Sequence, residues 1–107
     1  MSTEARYAKL VRELSSHVGV AHVTEGRGFG SSGQLKVGGR IFAMLVRGAL
    51  VVKLPRSRVD ELVASDEGTR FDAGKGRPMR EWFVLSPTSR RRWLPLVEEA
   101  FDFVKEA

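Results

Sequence analysis

Apolar positions recur along this chain in two rhythms, and the switch between them marks out its elements. Tyr7, Leu10, Val11, Leu14 and Val18 keep the three-to-four-residue spacing of one helical stripe. Lys9, Arg12 and Glu13 fall off it, which predicts a helix over about Thr3 to Val18. Gly19 is placed to end it, because glycine accepts the left-handed conformation of a helix C-cap. The spacing then shortens. Val20–Glu25, Gln34–Val37, Arg40–Val46 and Ala49–Leu54 read as strands, divided by Gly26–Gly33, Gly38-Gly39 and Arg47-Gly48. A Gly-Gly pair supplies the positive φ values that a two-residue hairpin turn demands. Connections this short join antiparallel strands only, so the region is a meander.

Beyond it, Pro55 stops the sheet and Ser57 is placed to cap a helix whose apolar face is Val59, Leu62 and Val63, with Gly68 as its end. Thr69–Asp72 predicts a short strand, Ala73–Pro78 a loop, and Arg80–Leu85 a strand rich in aromatic and branched residues. Ser86-Pro87 opens the last helical region. Pro95 either kinks that helix or marks a start near Trp93. Trp93, Leu96, Val97, Ala100, Phe101 and Val104 form its stripe. The order is helix, meander, helix, strand or hairpin, helix: an α+β, two-layer fold with an antiparallel sheet and N-terminal, middle and C-terminal helices, as one domain over residues 1–107. The segment RIFAMLV, Arg40–Val46, is apolar on both faces. Either this chain covers both faces or the open one meets another subunit, such as a homodimer partner.

Composition narrows the chemistry. With no cysteine, disulfides, thiolate metal sites and cysteine nucleophiles are excluded. Charges interrupt every apolar run near the N-terminus, and no run reaches the length of a membrane span, so the expectation is a cytoplasmic protein without membrane contact. Eighteen basic residues against thirteen acidic ones give a net charge of +5. Thirteen of the eighteen are arginine, whose fork donates two parallel hydrogen bonds to phosphate.

Candidate motifs are few. Gly28–Gly33, GFGSSG, matches the dinucleotide-binding pattern in letters, but a strand follows it instead of a helix, so that reading fails. What remains is a flexible loop through Gly26, Gly28, Gly30 and Gly33. His17, His22 and Glu25 have ligand chemistry without a spacing that makes them converge. No catalytic motif is present, so no cofactor and no enzymatic activity are expected. The best candidate is basic. Arg70, Lys75, Arg77 and Arg80 surround Gly74 and Gly76, and Arg90, Arg91 and Arg92 follow the next strand. If these seven share an edge they form a surface able to track a phosphate backbone.

A family likeness runs through these residues. Phe29-Gly30, Leu35, Val37, Gly39-Arg40, Phe42-Ala43, Leu50, Lys53, Phe71, Gly76-Arg77-Pro78-Met79 and Trp82, in that order, resemble the TfoX N-terminal domain-like family, related to the MmcQ/YjbR-like proteins. The resemblance covers about Gly26 to Val104. It implies a small α+β domain and a role in regulating DNA-uptake competence and transcription, and it brings no catalytic residues. Three functions are therefore in view: a non-enzymatic regulatory or adaptor domain acting through protein contacts; a nucleic-acid-binding module using the basic residues; and an enzyme on small anionic substrates, with Gly26–Gly33 closing over a pocket.

Overall fold

A computed structural model describes residues 3–14, 20–23, 34–71, 79–86, 88–89 and 91–106. Within them α1 spans Thr3–Leu14, β1 Val20–Val23, β2 Gln34–Val37, β3 Arg40–Val46, β4 Ala49–Lys53, α2 Arg56–Ala64, β5 Gly68–Phe71, β6 Met79–Leu85 and α3 Trp93–Glu106. The strands form one sheet in the order β1-β2-β3-β4-β6-β5, with every neighbouring pair antiparallel. The fold is α+β, as the periodicity predicts. β6 lies between β4 and β5, so those two run in the same direction and α2 is the crossover that joins them.

All three helices bury their stripes on one face of the sheet. Tyr7, Leu10 and Leu14 of α1, Val59 and Leu62 of α2, and Trp93, Leu96, Val97, Ala100, Phe101 and Val104 of α3 share one core with Leu35, Leu45, Leu50, Val52, Phe83 and Leu85. Burial pushes the Tyr7 phenol above its ordinary value, so it stays neutral there. The other face carries a smaller cluster, Met44, Val51 and Phe71, with Val46, Trp82 and Val84 half-buried around it.

The doubly apolar strand β3 is explained by its register. Leu35 pairs with Ala43 and Lys36 with Ile41, which leaves Phe42 as an extra residue in a bulge. Phe42 and its neighbour Ala43 consequently both enter the main core, and the Phe42 ring meets Phe101 edge-on at 5.5 Å. Met44 points the other way and, with Val51, is fully buried in the single chain. At these two positions both faces are covered without a second subunit.

Local chemistry departs from expectation around α2. Its N-cap is Pro55, not Ser57, and no side chain caps it. The Pro55 carbonyl accepts the N–H groups of Arg58 and Val59 instead, at 2.9 and 3.0 Å. Gly68 does not end the helix. Asp66 does, at φ 61°: its N–H donates to the Val63 carbonyl and that of Glu67 to the Leu62 carbonyl, a Schellman motif without glycine. Gly68 opens β5, where the reason for glycine is space. A Cβ there would sit 2.0 Å from the Val84 carbonyl oxygen and 2.7 Å from the Phe83 ring. α3 begins at Trp93, which puts Pro95 in the first turn, where its missing N–H has no helical partner to lose. Gly19, proposed as the α1 cap, lies outside the described residues.

Candidate functional site

The cations divide into those already neutralised and those that are not. Arg58 on α2 grips Glu99 of α3 with two hydrogen bonds, 2.9 and 3.2 Å, and Glu61 with a third at 2.7 Å. Arg70 on β5 pairs with Asp60 of α2. Arg91 pairs with Glu67 at 3.2 Å, and Ser89 donates to the same carboxylate oxygen at 2.9 Å. The Ser89 and Arg91 hydrogen bonds hold the Glu67 carboxyl below its usual range. These three arginines tie elements together, and their charge is spent within the molecule.

Of the seven basic residues singled out in the sequence, Lys75, Arg77 and Arg90 lie outside the described residues, as do Gly26, Gly28, Gly30 and Gly33 and the side chains of His17, His22 and Glu25. The other four do not assemble into one patch. Arg70 and Arg91 are paired as above. Arg80 stands at the start of β6, whereas Arg91 and Arg92 follow its end. Five residues of extended strand, about 17 Å, separate Arg80 from Leu85.

Arg80 instead joins cations that are distant in sequence. The β4–β6 register sets Lys53 beside Trp82, and Arg80 lies two residues before Trp82 on β6. Arg56 enters from the first turn of α2. Lys53, Arg56, Arg80, Glu81 and Trp82 line an open groove of about 420 Å³ at this end of the sheet. The Lys53 ammonium lies 5.7 Å from the centre of the Trp82 ring, within cation–π range. Among the described residues no carboxylate pairs with Lys53, Arg56 or Arg80. Among the described residues, three cations without a carboxylate partner therefore share the groove with one acid, Glu81, around a half-buried indole.

Such a surface attracts phosphate and offers an aromatic ring for stacking. Lys53 and Arg56 belong to it, yet no local signal marks them. Only the pairing of β4 with β6, thirty-odd residues apart, brings them to Trp82. Among the described residues no group of three acidic, histidine or cysteine side chains is placed to hold a metal ion, and no helix is long and apolar enough to cross a membrane. No family model, no curated protein and no solved structure matches the chain.

Proposed function

We propose that this chain is a nucleic-acid-binding module and that the Lys53–Arg56–Arg80–Trp82 groove is its contact surface. The observation that carries this reading is a set of three cations around one tryptophan that, among the described residues, pair with no carboxylate, whereas Arg58, Arg70 and Arg91 are each matched to one. The cations supply sequence-independent attraction to phosphates, and Trp82 supplies a platform on which an unpaired base can stack. A regulatory rather than catalytic role, in the cytoplasm, is the setting that the TfoX N-terminal-like resemblance suggests. That resemblance rests on the order of short motifs.

Fluorescence anisotropy with a labelled single strand and its duplex tests the reading. Three phosphate contacts on a duplex predict a log–log salt slope near −2.7, so affinity falls about fortyfold between about 50 and 200 mM salt. The single strand is expected to bind more tightly than the duplex and to lose that advantage in Trp82→Ala. Charge reversal at Lys53, Arg56 and Arg80 should abolish binding to both. Absence of binding by the native protein at low salt, or binding indifferent to the triple reversal, rejects the proposal.

A further inference from the structure

A second groove lies at the other end of β6, between α1 and the start of α3. We infer that it is a docking site for an acidic amphipathic segment of a partner protein. Arg6, Lys9 and Leu10 of α1 and Arg92, Trp93 and Leu94 line a trough of about 430 Å³. Its floor is apolar: Leu10 and Trp93 are buried and Leu94 is half-buried. Its rim is cationic: Lys9 and Arg92 are exposed. Among the described residues no carboxylate pairs with Arg6, Lys9 or Arg92. Glu13, the one acid on the rim, is already engaged.

The charge of this groove asks for carboxylates, and its floor asks for an apolar side chain between them. Arg6 and Lys9 stand three residues apart, so they share a face of α1 at the spacing at which a partner helix presents its own i and i+3 side chains. An acidic helix lying along α1 would set two carboxylates against Arg6 and Lys9, a third against Arg92, and a leucine or phenylalanine over Leu10 and Leu94. Arg6 is held ready for this. Its guanidinium lies 4.3 Å from the centre of the Trp93 ring and donates to the Arg91 carbonyl at 3.5 Å, which limits the side-chain freedom a partner would have to freeze.

The same geometry disfavours nucleic acid here. Trp93 is only 7% exposed and a guanidinium covers its ring, so no base stacks on it. The remaining floor is aliphatic, which offers a base edge nothing to hydrogen-bond. The groove is small, which fits a transient, salt-sensitive contact rather than a permanent interface.

The probe is a fluorescein-labelled peptide that repeats glutamate and leucine at helical spacing. Its controls are the same peptide with lysine for glutamate, and poly-glutamate of equal length. The acidic amphipathic peptide should bind at least about tenfold more tightly than either control. The double variant Lys9→Glu, Arg92→Glu, which alters exposed residues and leaves the Arg6–Trp93 stack in place, should weaken it at least about tenfold. Lys53→Glu with Arg80→Glu should leave it within about twofold. Equal affinity for poly-glutamate, or indifference to the Lys9/Arg92 variant, overturns the inference. So does a Lys9/Arg92 variant that loses nucleic-acid binding while keeping the peptide, which would assign the groove to the nucleic-acid surface.

Discussion

Arg47 carries backbone strain that one substitution can relieve. With Gly48 it makes the two-residue turn between β3 and β4, and both have positive φ, 51° and 78°. For a residue with a Cβ that conformation costs roughly 1–2 kcal/mol, whereas asparagine tolerates it best after glycine. Arg47→Asn should therefore raise the free energy of unfolding by about 1 kcal/mol in urea titration. Gly68→Ala should do the reverse, lowering it by about 2 kcal/mol or more, because the methyl group collides with the Val84 carbonyl and the Phe83 ring. Glu67 predicts an acid effect. Its carboxyl titrates below the ordinary range when folded, so its contacts with Ser89 and Arg91 contribute fully above that range and are lost progressively as pH falls from it through the lower folded-state value. Urea midpoints measured between about pH 6 and 3 should fall less steeply in Glu67→Gln than in the native protein. Some of this detail is legible in the sequence and some is not. Gly38-Gly39 announces its turn because positive φ is a local demand. Asp66 does not announce its cap, because its conformation follows from the return of the chain into β5.

At the level of elements, periodicity carries the reading well: the stripes of α1 and α3 and the runs of β2, β3 and β6 need no long-range information. The start of α2 differs from the sequence expectation: Ser57 is the better capping residue, yet the helix begins after Pro55, whose carbonyl takes the first N–H groups. The bulge at Phe42 leaves no mark in the sequence, since an extra residue in one strand shows only against its partner. α2 is then fixed to α3 by the Arg58 fork. Arg58→Lys keeps the charge but loses the paired geometry on Glu99, and should cost about 1 kcal/mol, most visibly at low salt. Comparing urea midpoints of Arg58→Lys and native protein at low and high salt checks this.

Across the whole molecule, arginine content alone does not locate a binding surface, because partners decide which charges remain available. Asp60 and Glu67 neutralise Arg70 and Arg91, while Lys53, Arg56 and Arg80 have no carboxylate partner among the described residues. Arg70→Gln and Arg91→Gln should accordingly lower stability while leaving nucleic-acid affinity within about twofold at fixed salt, and Lys53→Gln with Arg80→Gln should show the opposite pattern. Titrating the same labelled strand against each variant, with urea unfolding alongside, separates the two classes. Nearness along the chain does not bring Arg80 to Arg91 and Arg92, because β6 lies between them, and Lys75, Arg77 and Arg90 lie outside the described residues. That strand has a further consequence, in time rather than space. β1 to β4 pair with sequence neighbours, and so do β5 and β6, but β6 must also reach across to β4, joining Val51 to Val84. Two locally folded halves thus meet along one strand, and closing that long loop is the entropically costly event. Val52→Ala, at the middle of the junction, is expected to slow refolding more than it speeds unfolding in stopped-flow measurements, because the rate at which the sheet completes is set there.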